Sequence, residues 1–414
     1  MRGPRTFVVL SLFVAVLLAS TAGQPAGASG RGRTSGRIQF GKPLDGLTAE
    51  EYKLFRDGRE AFQEVEDASD GLGPTFNGTS CAACHVSPAI GGATPINETR
   101  FAQVVGGVYS DLPGGSLLQS QAISPDCAET VPSGANVVIA QRQTTPLFGS
   151  GLIEAIPDSE IVAYGAAQAA FYPGQAGVVN FVTEPQSARR RVGRFGWKAQ
   201  HATLLAFSGD AYINEMGITN RLFPADNAPN GDMAKLAACD TVRDLENEND
   251  IDAFANFMRL LAPPPQDDEL HRQRLADFGR LRQDDQHRGD SLPLTRGQGL
   301  FERVGCAVCH YAGFTAFSRI RAINGQRVEA YSDFLLHDVA TGDGIVQGNA
   351  KGNQFRTPPL WGISDSGPYL HDGSAATITD AIRRHGNQGA AARQAFEDLS
   401  FRERDALLAF LDAI

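Results

Sequence analysis

Two five-residue segments carry the chemistry of this 414-residue chain: Cys81-Ala82-Ala83-Cys84-His85 and Cys306-Ala307-Val308-Cys309-His310. Two thiols at i and i+3 can add across the vinyl groups of a haem. An imidazole directly after them then rises beneath the ring as the proximal iron ligand. Two copies predict two covalent haems c. Taken alone, each C-x-x-C also fits a thioredoxin-like redox pair or half of a zinc site. A histidine follows the second cysteine in both copies, and the remaining Cys127 and Cys239 are single and far apart; both observations weigh against those readings. In an oxidising compartment Cys127 and Cys239 can pair, but spacing alone does not show it.

The elements that must position these segments form a degenerate internal repeat. Gly58-Arg59-Glu60-Ala61-Phe62 precedes the first motif and Gly297-Gln298-Gly299-Leu300-Phe301 the second, each a G-x-x-x-F on an expected helix. In a small cytochrome c such a helix packs its aromatic residue across a later helix beside the haem. Thr144-Thr145-Pro146-Leu147-Phe148-Gly149 and Arg356-Thr357-Pro358-Pro359-Leu360-Trp361-Gly362 follow as related turns. The expected fold class is mainly α, with two tandem cytochrome c-type domains. The first, 44–262, carries a large insertion at about 157–260, whose segments 158–170 and 250–261 have helical apolar spacing. A charged linker at 263–293, opened by Ala262-Pro263-Pro264-Pro265, leads to the second domain at 294–414.

Residues 1–28 read as a secretory signal peptide: Arg2 and Arg5, an apolar run from Phe7 to Ala19, and Ala26-Gly27-Ala28 as a cleavage site. The run is too short for a comfortable membrane span. Residues 29–43 read as a flexible mature N-terminus. Export to the periplasm suits a c-type cytochrome. Loss of Arg2 and Arg5 moves the formal charge from −10 to −12. An acidic chain is a poor partner for nucleic acid and a better one for a basic electron donor.

Residues 71–92 resemble the first haem signature of the bacterial di-haem oxidoreductase family, which is related to the bacterial di-haem cytochrome c peroxidases. GLIEAIPD at 151–158, GRFGWKA at 193–199, MGITN at 216–220 and FRTPPLWGISDSGPYLHDGSAATITDAIRRHG at 355–386 resemble later blocks of the same family. The similarity spans about residue 45 to the C-terminus. It implies a peroxide-reacting haem and an electron-delivering haem, hydrogen peroxide as substrate, and a small cytochrome c or cupredoxin as electron donor. It also admits a calcium ion between the domains.

Carried over residue by residue, the resemblance makes His85 and His310 the proximal ligands. In the relatives the electron-delivering iron takes a methionine from an A-V-x-x-M-G segment. Here that segment reads Ala381-Ile382-Arg383-Arg384-His385-Gly386, which makes His385 the sixth ligand and predicts a lower potential than His/Met ligation. A histidine before a helix-ending glycine is also favourable without iron. His371 matches the histidine of the P-Y-x-H-D-G turn, close to the haem without ligating it, and His337 can play a similar part. Glu154 is the candidate acid/base group at the first haem, with Gln141 and Gln143 as candidates to orient peroxide; each also reads as a structural turn residue. Trp197 reads as an electron relay or as core packing, and Met216 as a cap on the first iron or as packing. His201, His271 and His287 read as solvated. Three functions remain open: a peroxide-reducing oxidoreductase, a non-catalytic electron-transfer protein, and a di-haem oxygenase or protein-oxidising enzyme.

Overall fold

The structure, a computed structural model, describes residues 40–240, 250–266 and 293–414. The expected signal peptide, residues 29–39 of the expected flexible N-terminus, most of the 263–293 linker, His271 and His287 lie outside the described residues.

Among the described residues ten helices carry most of the regular structure: α1 Ala49–Ala61, α2 Ser150–Glu154, α3 Asp158–Phe171, α4 Leu204–Met216, α5 Met233–Cys239, α6 Asp250–Leu260, α7 Pro293–Arg303, α8 Ile378–Arg383, α9 Ala390–Glu397 and α10 Phe401–Leu411. Helix α1 starts at a capping box, in which Thr48 Oγ1 accepts from the Glu51 amide and Glu51 Oε2 accepts from the Thr48 amide. The box Ser400/Glu403 starts α10 in the same way.

The repeat read in the sequence recurs in the packing. Helix α1 crosses α6 at Gly58, where a Cβ would lie 2.3 Å from the Ala253 carbonyl oxygen. Helix α7 crosses α10 at Gly297, where a Cβ would lie 2.1 Å from the Ala406 oxygen. Each glycine brings its helix close enough for the following phenylalanine to reach the partner. Phe62 packs 4.9 Å from Phe257 and Phe301 5.4 Å from Phe410, between ring centroids.

Helices α3 and α6 fall where apolar spacing placed helices. An unanticipated element is a four-stranded antiparallel sheet. Its long central strand β1 Asn97–Val105 pairs with β2 Val108–Ser110, β3 Leu117–Leu118 and β4 Val137–Gln143, with Phe101 opposite Ile139. So the chain is helical with a β subdomain, and the surplus of the first half begins well before residue 157. Cys127 and Cys239 form a disulfide with Cα atoms 5.8 Å apart, tying α5 to the segment after the sheet's third strand.

The main core does not stop at the expected linker. Phe55, Phe62, Tyr212, Phe254 and Phe257 from the first half share it with Phe314, Ile323, Phe334 and Leu335 from the second. A smaller core joins Leu300, Phe301, Phe396, Leu407 and Phe410. No described helix is long and apolar enough to cross a membrane.

Candidate functional site

Both C-x-x-C-H segments turn as short 3₁₀ helices, Cys81–Ala83 and Cys306–Val308, and the histidine amide donates to the carbonyl of the first cysteine in each: 3.0 Å for His85 and 2.9 Å for His310. The imidazoles are then fixed alike. His85 Nδ1 lies 3.0 Å from the Gly92 oxygen and His310 Nδ1 3.0 Å from the Tyr331 oxygen. A carbonyl can only accept, so Nδ1 carries the proton and Nε2 keeps its lone pair, the tautomer of a metal-ligating histidine. Burial holds both rings far below the usual imidazole range, to about 4, so they are neutral donors at physiological pH. The ring of Phe62 stands 6.0 Å from His85 and that of Phe301 6.3 Å from His310.

The leading cysteine of each motif is poorly set up for dithiol chemistry. Burial pushes the Cys81 and Cys306 thiols up to about 12, whereas a reactive cysteine needs an electropositive setting that lowers its pKa. Zinc fares no better. Among the described residues, the one group of three His, Cys, Asp or Glu ligand atoms within reach of each other is Cys309, Asp333 and His337, which lacks Cys306. Partly exposed thiols beside a tautomer-fixed imidazole suit covalent haem.

A cavity of about 280 Å³ with mostly apolar walls opens over the second motif, lined by Cys306, Cys309, His310 and His385. His385 Nδ1 lies 2.8 Å from the Ala381 oxygen, one turn back in α8, which again leaves Nε2 free. The cavity also takes in Gln143, Trp197 and His371. Trp197 Nε1 donates to the Gln143 oxygen at 2.8 Å, and its ring meets those of Phe355 and His371 edge-on at 6.1 and 6.3 Å. His371 stacks on Phe355 at 4.1 Å, and its carbonyl accepts from the Gln143 amide. Trp197 therefore joins the sheet end of the first half to the P-Y-x-H-D-G turn of the second. Thr144 and Thr145 line the same cavity and reach the first motif, Thr144 at the Cys84 thiol and Thr145 at His85.

Glu154 is placed elsewhere. Its carboxylate accepts from Arg259 Nε at 2.7 Å and from the Leu204 amide at the start of α4 at 2.7 Å, and it does not line the cavity. These are the partners of a structural carboxylate, with an amide at a helix N-terminus as its anchor. Met216 is buried in the main core, away from the cavity lining. Gln141 is held on the sheet by Thr99 at 2.9 Å. His201 is buried, not solvated, and its Nε2 lies 3.0 Å from Asp210. His337 is also buried, between Cys309 Sγ at 3.7 Å and Asp333 Oδ2 at 2.9 Å; burial opposes its charge, but Asp333 prevails and raises its pKa to about 10.

Two residues missed in the sequence stand out. Glu215, next to Met216, accepts from Asn77 at 2.9 Å, and its carbonyl holds the Asn77 and Gly78 amides just ahead of the first motif. Burial and the nearby Glu98 raise its pKa to about 7. Lys198 fills the oxygen cage between the halves. Its ammonium donates to the carbonyls of Gln354 at 2.7 Å, Lys351 at 3.1 Å and Gly352 at 3.3 Å, and lies 3.2 Å from Asp343. Carbonyl and carboxylate oxygens are the ligands calcium takes, but here a side chain supplies the cation.

The sequence model of the family described as "di-haem oxidoreductase, putative peroxidase" matches residues 133–414. The chain belongs to this family. Membership makes haem the cofactor and oxidation–reduction the class of reaction. This di-haem oxidoreductase is 33% identical over 91 residues to the cytochrome c551 peroxidase of Nitrosomonas europaea, a stretch of 22% of this chain and 26% of the relative. Among solved structures it is similar to the hydrazine synthase of Kuenenia stuttgartiensis (17% identity, 95% of this chain and 100% of that one, TM-score 0.42). It is also similar to a MauG-like protein associated with microbial copper homeostasis (18%, 91% and 92%, 0.37). A third is the di-haem peroxidase of Burkholderia thailandensis (13%, 75% and 94%, 0.29). Likenesses this slight assign neither fold nor chemistry.

Proposed function

We propose that this di-haem oxidoreductase is an exported c-type enzyme of the periplasm that reduces hydrogen peroxide. Haems would be attached at Cys81/Cys84 and Cys306/Cys309, in cytochrome c-type modules spanning 44–262 and 294–414. The observation that carries the reading is the doubled geometry of the motifs: two thiols one 3₁₀ turn apart, Nδ1 of the following histidine fixed on a carbonyl, and a phenylalanine beside each ring. When bound, the haem irons supply the redox centres: two electrons and two protons convert one peroxide to two waters, with electrons entering at the His310 side and used at the His85 side.

The chain's own residues divide the remaining work. His385 faces the cavity it shares with His310 and would be a second histidine ligand to the haem held there. Gln143 and Trp197 connect the halves. Glu215 replaces Glu154 as the proton-moving group at the first motif, since a carboxyl titrating near 7 exchanges protons at neutral pH. A small cytochrome c or cupredoxin delivers the electrons.

The test is low-temperature EPR on the ferric protein, repeated after one electron equivalent and then peroxide. The reading expects one low-spin bis-histidine signal and one high-spin signal that peroxide abolishes, with turnover against a reduced small cytochrome. Two low-spin signals that persist through both additions would make the protein an electron carrier.

A further inference from the structure

Four cationic side chains among the described residues are at most 5% exposed: Arg142, Arg194, Lys198 and Arg356. Burying a charge is expensive unless it is paired. Three obey the rule. Arg142 Nε donates to Asp343 at 2.8 Å, Arg194 is paired with Asp158, and Lys198 lies 3.2 Å from Asp343. Arg356 forms no ion pair. Its Nε donates to the Gly196 oxygen at 2.9 Å and its Nη1 to the Thr357 oxygen at 3.0 Å, both neutral acceptors. Asp333, whose charge reaches it, is already held by His337 and Gln168. Two backbone carbonyls thus fix the guanidinium at Nε and Nη1, and the side chain lines the cavity beside Thr357 and His371.

A rigid, desolvated guanidinium facing a cavity without a counter-ion is built for a carboxylate. We infer that Arg356 is the anchor for a propionate of the haem held at Cys306 and Cys309, the one motif whose cysteines line this cavity; this rests on the covalent haem reading above. The bound propionate is the missing partner of Arg356. The pair also acts on the iron, because a fixed positive charge near the ring favours the reduced state, which carries one positive charge fewer.

The experiment compares Arg356→Gln, Arg356→Lys and the wild-type holoprotein by spectroelectrochemical titration of the bis-histidine haem. A pyridine haemochrome assay confirms two haems c in each sample. With the applied potential held at the wild-type midpoint, Arg356→Gln should shift the oxidised-to-reduced ratio roughly tenfold toward oxidised, while Arg356→Lys, which keeps the charge, stays within about twofold. A purely structural role would lower thermal stability in both variants without separating them in this ratio. Equal ratios in Arg356→Gln and wild type, or equal shifts in both variants, would overturn the assignment. Should Arg356→Gln not accumulate, Arg356→Lys still decides, since a shift as large as tenfold there contradicts a charge-based role. A haemochrome count of zero would instead sink the haem reading itself.

Discussion

Replacing Gly297 by alanine isolates the helix crossing that sets Phe301 against the second motif. The new Cβ would stand 2.1 Å from the Ala406 carbonyl oxygen and 2.6 Å from Phe410 Cβ. Ordinary contact lies at about 3.5–4.0 Å, so α7 and α10 must part by roughly 1 Å or more. Overpacking of this kind costs about 1–3 kcal/mol, whereas alanine in a helix interior gains about 0.5–1 kcal/mol over glycine. Gly299 provides the internal control: it lies on the same helix, and nothing is within 4 Å of its would-be Cβ. The helix gain is common to both substitutions and cancels in the comparison. Gly299→Ala should therefore exceed Gly297→Ala in stability by about 1–3 kcal/mol, read as a difference in urea midpoint by far-ultraviolet circular dichroism. The second haem's spectrum should change only in Gly297→Ala, through displaced Phe301 and His310. Two variants of equal stability would refute the close crossing.

Three further outcomes follow from contacts described above. Cys127→Ser removes a bridge between residues 112 apart in sequence and should cost about 2–5 kcal/mol, measured as a loss in thermal stability that reductant reproduces in the wild type. Glu154→Gln breaks the part-buried pair with Arg259 and should cost about 1–3 kcal/mol while peroxide turnover stays within a few-fold; a drop of about 100-fold would restore Glu154 as the acid/base group. Glu215 titrates higher in the folded chain than its ordinary 4.5, at about 7, so its own contribution to stability is full below 4.5 and declines as pH rises toward 7. Glu215→Gln should remove that slope and flatten the limb of the turnover profile near pH 7; an unchanged profile would exclude Glu215 from proton transfer.

The motifs and the helices that flank them were legible because their signals are local. A C-x-x-C-H needs only five residues, and G-x-x-x-F sets a glycine and an aromatic one helical turn apart. His385 stood out as a departure within a recognisable block, and the fold puts it on the cavity that His310 lines. The sheet was not, because β1 interleaves Thr99, Arg100 and Gln103 with Phe101 and Ala102, and its own small core is Ala102, Ala140 and Ile345. Such a strand lacks the clean alternation that marks a half-buried one. Glu154 looked catalytic by position along the chain, but in the fold its carboxylate pairs with Arg259, 105 residues away. Glu215, Lys198 and Arg356 owe their character to burial and to distant partners, neither of which a single sequence displays.

Helix α3 belongs to the first half yet grips the second motif from behind. Tyr164 donates to the Val308 carbonyl at 2.9 Å, and Gln168 reaches that carbonyl and Asp333. Val308 sits between the two cysteines that take the haem on the proposed reading. Docking of α3 therefore ties the loop between those cysteines to the first half of the chain, so the second motif is held in shape by contacts from both halves.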